Sequence, residues 1–158
     1  FKCPTAIIWG YGNTYNLNLN LVKYQEIQNN LKVIGITGKD IYHQTIDGYS
    51  CVHISDLPLI EFDYLIISAQ GYFDEICETA MKIGIDQSKF INVQVFSIPN
   101  FNFVNYVRLV ESHVSIIANN CWGGGVYHLL KMQFQSPFIN MFVRDRDYIK
   151  LLKDIKLL

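Results

Sequence analysis

The chain of 158 residues predicts an α/β fold: a Rossmann-like, mainly parallel sheet with helices on both faces, followed by the start of a second β-α-β-α unit. Three observations predict it. Short unbroken apolar runs recur, Ala6-Ile7-Ile8-Trp9 and Tyr64-Leu65-Ile66-Ile67 being the clearest. Strands covered on both faces need such runs. Segments with helical apolar spacing alternate with them. Finally, half of the residues are hydrophobic and 17% are charged, which supports a core and excludes a disordered chain.

The elements follow in order. Ala6 to Trp9 reads as a strand ending at Gly10. Gly10-Tyr11-Gly12 is a turn, and Asn13 and Thr14 are residues that cap helices. In residues 14–29, Leu17, Leu19 and Leu21 alternate as in a strand, while Leu17, Leu21, Tyr24 and Gln28 also fit a helical stripe, and the length favours helix. Leu31 to Thr37 is the next strand, and residues 38–50 are polar and irregular with an Asp47-Gly48 turn. Cys51 to Ile54 reads as a short strand and Asp56-Leu57-Pro58 as the opening of a brief helical or loop connection. Asp63 to Ala69 is the clearest central strand.

From Gly71 a helix carries Phe73, Ile76, Cys77, Ala80 and Met81 on one face, with Asp74 and Glu75 in its first turn and Gly84 closing it. Phe90 to Phe96 is a strand, and Pro99-Asn100 opens a helix with Phe103, Tyr106, Val107 and Val110. Val114 to Ala118 is a strand, Asn119 to Gly125 a loop and Val126 to Lys131 a helix. Phe138 to Val143 is a strand, and Tyr148, Ile149, Leu152 and Ile155 lie on a final helix. This organisation gives a Rossmann-like domain over 1–98, a connecting helix over 99–112 and the start of a second unit over 113–158.

The net charge of −1 excludes a strongly basic nucleic-acid binder and a polybasic membrane anchor. No run of 18 apolar residues occurs, so no transmembrane helix is expected. Cys3, Cys51, Cys77 and Cys121 include no CxxC pair, which signals neither a zinc site nor a disulfide framework. Scattered single cysteines fit a reducing, cytoplasmic setting. The chain begins at Phe1 and stops at Leu158 in mid-pattern, as a fragment would.

Two glycine loops are the candidate sites. Gly10-x-Gly12 after a strand opens a dinucleotide fingerprint: the first glycine permits the turn, the second lets a phosphate approach, and the helix start supplies N–H donors. The fingerprint is half complete. Tyr15 stands where a third glycine belongs, and the second strand ends in Thr37-Gly38-Lys39 where an acid is expected, with Asp40 following. An NAD-type nucleotide remains one candidate cofactor, and a purely structural turn is the alternative. The ligand reading assigns Gly10, Tyr11, Gly12, Asn13 and Thr14 to a phosphate, with Ser68 and Gln70 lining the crevice beyond the central strand.

In the second loop, Asn119, Asn120, Trp122, Gly123 and Gly124 suit a polar ring: amides offer donors and acceptors, and tryptophan a flat face. The plain alternative has Trp122 plugging the core and the asparagines capping a helix. Cys121 is a weak nucleophile candidate, with His113 or His128 as its base. Cys51 and His53 share one strand face and could bind a metal, but no second pair lies nearby, so they read as ordinary strand residues and no metal is expected. Arg144-Asp145-Arg146-Asp147 reads as a helix cap with surface ion pairs, or as an anion clamp through Arg144. Tyr42-His43 falls where a cofactor ribose would lie, or is simply surface.

Two resemblances add to this. Ser115 to Gly124, Ser136-Pro137-Phe138 and Asp147-Tyr148-Ile149-Lys150 resemble the pattern of DUF1919, a bacterial family of unknown function. That resemblance implies an exopolysaccharide- or capsule-associated protein that continues past the last helix. Ile34-Gly35-Ile36, Asp47-Gly48 and Phe62 to Ser68 resemble Rossmann-like modules attached to polysaccharide-biosynthesis enzymes, over Ala6 to about Ile98.

The expected function is binding of a nucleotide-linked or other sugar in surface-polysaccharide synthesis. The alternatives are a non-catalytic binding or assembly module and a transferase whose catalytic residues lie beyond residue 158. A homo-oligomer is compatible with all three.

Overall fold

A computed structural model describes residues 2–41, 44–112, 114–134, 136, 138 and 141–155. Two compact units are present, Phe1–Tyr106 and Val107–Leu158. The first is built on a four-stranded parallel sheet in the order β2-β1-β5-β6, formed by Thr5–Trp9 (β1), Lys32–Thr37 (β2), Tyr64–Ile67 (β5) and Phe90–Asn92 (β6). Between β2 and β5, Thr45–Ile46 (β3) and Tyr49–Ser50 (β4) pair as an antiparallel hairpin. The helices are Asn13–Ile27 (α1), Phe73–Lys82 (α2) and Phe103–Glu111 (α3), with Trp122–Leu129 (α4) and Asp145–Asp154 (α5) in the second unit.

The apolar runs occupy the centre of the sheet because they carry no group that needs water. Ile7, Ile8, Leu65, Ile66 and Ile67 are at most 1% exposed, and each stabilises the fold by about 1.5–3 kcal/mol through burial. Alternation along each strand divides them between two layers. Ile7, Trp9, Leu65 and Ile67 pack with Ile76, Cys77 and Ala80 of α2. Tyr64, one residue out of phase, meets Phe103 of α3 edge-on at 5.5 Å on the other face.

Helix α1 corrects the stripe expected from its leucines. Tyr15, Asn18, Val22 and Gln25 are the buried residues, whereas Leu17 is 80% exposed and Tyr24 lies largely outside. Burial of two amides is tolerated because both are hydrogen-bonded. The Asn18 amide donates to the Thr14 carbonyl at 2.8 Å. The Gln25 amide donates to the Phe101 carbonyl at 2.9 Å and accepts from the Phe103 N–H at 3.0 Å. One polar side chain therefore ties α1 to the start of α3.

Three further expectations in this unit are revised. Residues 45–50 form an ordered hairpin, because Asp47 and Gly48 both take positive φ (51° and 91°), the turn that matches strand twist. Cys51 makes only a single bridge to Ile36, and the chain turns into a 3-10 helix at Ile54–Leu59. Strand β6 stops at Asn92, whose side chain accepts from the Gln94 N–H at 2.9 Å and starts the 3-10 turn Val93–Ser97.

In the second unit, the strand expected at Val114 to Ala118 has no ladder partner among the described residues. Tyrosine hydroxyls satisfy part of its backbone instead. The buried Tyr127 hydroxyl accepts from the Ile116 N–H at 2.8 Å and donates to the Val114 carbonyl at 3.3 Å, and Tyr148 donates to the Ile117 carbonyl at 3.0 Å. The strand expected at Phe138 to Val143 is likewise not seen in its described residues, and Ile139 and Asn140 lie outside them.

Candidate functional site

Strand β1 lies at the centre of the switch in chain direction: β2 pairs on one side of it and β5 on the other. Loops leaving the carboxyl ends of β1 and β5 diverge there and leave a crevice. A cavity of about 650 Å³ occupies that place, within the range of small-molecule sites.

Its floor is the glycine turn. Gly10 has φ +105°, and a Cβ there would lie 2.9 Å from the Ser68 carbonyl oxygen, so both its conformation and its space require glycine. Gly12 has ordinary extended geometry and open space around it. It precedes α1 and leaves the helix without a side-chain cap, so first-turn N–H groups stay available beside the cavity. Tyr11 lies across the neighbouring loop. Its ring covers Gly38, where a Cβ would come within 2.6 Å of it. Its hydroxyl donates to the Asp40 carbonyl at 2.8 Å.

The walls come from several elements. Trp9, Ile54, Ile76 and Tyr72 give apolar and aromatic surface, and Lys39, Asp40, Glu75 and Thr79 give polar groups. Tyr15 turns away from this cavity and is 2% exposed. Its hydroxyl donates to Asp47 at 2.9 Å, which explains why a bulky residue stands at the third fingerprint position. Beside it, Tyr49 donates to Glu26. Burial first, and then these carboxylates, push both phenols well above the usual tyrosine range. They therefore remain donors that tether the hairpin to α1.

Gly10, Tyr11 and Gly12 line the cavity, whereas Asn13 and Thr14 begin α1 and are not among its lining residues. The crevice expected at Ser68 and Gln70 is lined instead by their neighbours Ala69 and Tyr72. Ser68 is 2% exposed, and its hydroxyl has no hydrogen-bond partner among the described residues. The sequence names Lys39 only as the end of a strand and Glu75 only as a first-turn acid, and marks neither them nor Thr79 as site residues. The helical repeat places Glu75 and Thr79 one turn apart on one face of α2, which was the available clue.

The second loop is different. Asn119 and Asn120 line a hollow of about 440 Å³ with Phe142, Val143, Arg144 and Asp145. Both amides already have structural work. Asn119 donates to Asp145 at 2.9 Å, and Asn120 accepts from the Trp122 N–H at 2.8 Å, just ahead of α4. Trp122 does not plug the core; it is 66% exposed. Gly123 and Gly124 are buried inside α4, not in a loop. Cys121 is exposed at the helix start. His128 follows two helical turns later, about 10 Å along the axis, too far to act as its base. His113, Tyr42 and His43 lie outside the described residues. Among the described residues, no group of three potential metal ligands converges. Among the described residues, no helix is long and apolar enough to cross a membrane.

A family model described as C2185-like, N-terminal, matches residues 4–91. A second, described as a domain of unknown function (DUF1919), matches residues 92–158. An uncharacterized protein of Haemophilus influenzae is 31% identical over 48 residues, which are 30% of this chain and 23% of that protein. The match thus spans about a quarter of that relative's length. The chain belongs to the C2185-like N-terminal family, whose model covers more than half of it.

Proposed function

We propose that this C2185-like chain binds a nucleotide-linked or other sugar in the cavity over Gly10-Tyr11-Gly12, in the service of surface-polysaccharide synthesis. The observation that carries the reading is the meeting of three chemistries in one cavity: an open glycine turn at an uncapped helix start, aromatic walls from Trp9 and Tyr72, and polar side chains from Lys39, Asp40, Glu75 and Thr79. A phosphate suits the turn. Aromatic faces suit a base or a sugar ring, and carboxylates accept from sugar hydroxyls. The sequence patterns at Ser115 to Gly124 and at Phe62 to Ser68, through their resemblances, imply the polysaccharide setting.

Trp9 lines the cavity and reports on it. In a Trp122→Phe background it is the chain's single tryptophan. Titration with NAD, FAD and nucleotide sugars is expected to give a saturable change with a nucleotide sugar. The response is expected to vanish in Gly12→Val, whose folded circular dichroism signal is retained. A flat response to every ligand at millimolar concentration removes the reading.

A second reading has its own observation. Gly10 is required by its contact with Ser68 whether or not a ligand binds. A non-catalytic assembly module would keep this turn and show the flat response.

A further inference from the structure

The cavity is lined by loops and a helix that follow different strands. The Gly10 N–H donates to the Thr37 carbonyl at 2.9 Å, so the loops after β1 and β2 leave the sheet side by side. Lys39 stands between two residues that Tyr11 fixes: Gly38 lies under its ring and the Asp40 carbonyl accepts from its hydroxyl. The lysine is therefore held on a pinned stretch of backbone next to the glycine turn. No carboxylate pairs with it among the described residues. Glu75 and Thr79 also line the cavity, from α2, which follows β5 on the other side of β1 from β2. The Thr79 hydroxyl donates to the Glu75 carbonyl at 2.8 Å and leaves the carboxylate untouched.

We infer that Lys39 selects ligands in which a phosphate or pyrophosphate is joined to a hydroxyl-rich ring, with the phosphate at Lys39 and Gly12 and the ring toward Glu75. The inference rests on the sugar reading of this cavity and narrows it to phosphorylated sugars. A lysine free of internal ion pairing gains a charge-assisted bond from phosphate that an uncharged sugar cannot give. Asp40 and Glu75 act in the opposite sense on a bare anion. They repel its charge but accept from ring hydroxyls, so the mixed lining favours a ligand with both groups. Lys39 and the Gly12 turn set the orientation, because they supply the cation and the N–H donors that a phosphate needs, which leaves the ring to Glu75.

The experiment is calorimetric titration of the full chain, with inorganic pyrophosphate, a sugar 1-phosphate, a uridine diphosphate sugar and the free sugar as probes. Wild type, Lys39→Ala and Glu75→Gln are compared. Phosphate-bearing probes are expected to bind and the free sugar to fail at ten times their concentration. Lys39→Ala is expected to weaken all phosphate-bearing probes by about tenfold or more. Glu75→Gln is expected to weaken the two sugar phosphates while leaving pyrophosphate unchanged or tighter. Lys39 is exposed, so its loss leaves the fold intact, checked by thermal melting. The preference between sugar phosphate and uridine diphosphate sugar identifies the source of the phosphate.

Binding of free sugar without pyrophosphate overturns the inference and keeps the sugar reading. Lys39-dependent pyrophosphate binding with no gain from any sugar overturns the orientation and the sugar reading together, but keeps Lys39 as the anion contact. Phosphate binding that is equal in wild type and Lys39→Ala overturns the role of Lys39. No binding of any probe overturns both proposals.

Discussion

The two glycine loops look alike on paper and do different things. Gly10-Tyr11-Gly12 leaves a strand buried at the centre of a sheet, adopts a left-handed turn at Gly10 and opens a cavity at Gly12. Gly123-Gly124-Gly125 lies inside the first turns of α4. There the missing side chain serves packing: a Cβ on Gly123 would lie 3.2 Å from the Ala118 Cβ. A run of glycines is thus evidence of close approach, but not of what approaches. In the first loop the approach leaves room for a ligand, and in the second it brings in the protein's own chain.

The sharpest way to break this contrast is Gly10→Ala. The added Cβ meets a carbonyl oxygen at 2.9 Å in a left-handed conformation, and the expected loss is about 3 kcal/mol in urea unfolding. A variant as stable as wild type would show that the turn relaxes freely. The second loop divides within itself. Gly123→Ala gains helix propensity but overpacks against Ala118, for a net loss of about 1 kcal/mol. Gly125→Ala meets nothing within 4 Å and is expected to stabilise by about 0.5–1 kcal/mol. Equal effects at the two positions would show that packing does not govern α4.

The smallest effect lies at the far end of β1. Burial raises the pKa of Asp63, but hydrogen bonds from the Thr5 N–H (2.7 Å) and hydroxyl (2.8 Å), helped by Lys2 and Lys89, outweigh it and bring the pKa below the usual range. A lowered folded-state value contributes stability that is present above the unfolded carboxylate pKa and lost as pH falls through the folded one. This site is exposed, so only a few tenths of a kcal/mol are expected. Asp63→Asn is expected to differ from wild type at pH 7 and to match it below the carboxylate range. A difference that persists at pH 2 would point to a cause other than this carboxylate's charge.

The first sheet was legible because its strands are runs of one kind of residue. Ile7-Ile8-Trp9 and Leu65-Ile66-Ile67 can only be satisfied between two layers, and α2 carries a regular apolar face against them. Helix α1 was legible as a helix but not in its orientation. Its leucines imply one buried face, and the structure buries another, because Gln25 finds an acceptor and a donor near α3 that lie 76 and 78 residues away in the chain. Strand-like residues at 114–118 were misleading for a related reason. Their backbone groups find tyrosine hydroxyls from α4 and α5 instead of a neighbouring strand.

By itself the sequence determined the alternation of elements, the central strands and the place of the glycine turn, because these depend on local propensity and on the short-range spacing of apolar residues. Only the tertiary structure decided which residues share the cavity. Lys39, Glu75 and Thr79 come from separate segments and meet Gly12 only because β1 pairs with β2 on one side and β5 on the other. It also decided that Tyr15, at the fingerprint's third position, turns toward Asp47 and leaves the crevice open. Such choices depend on partners distant in sequence, whose donors, acceptors and volumes local spacing does not encode.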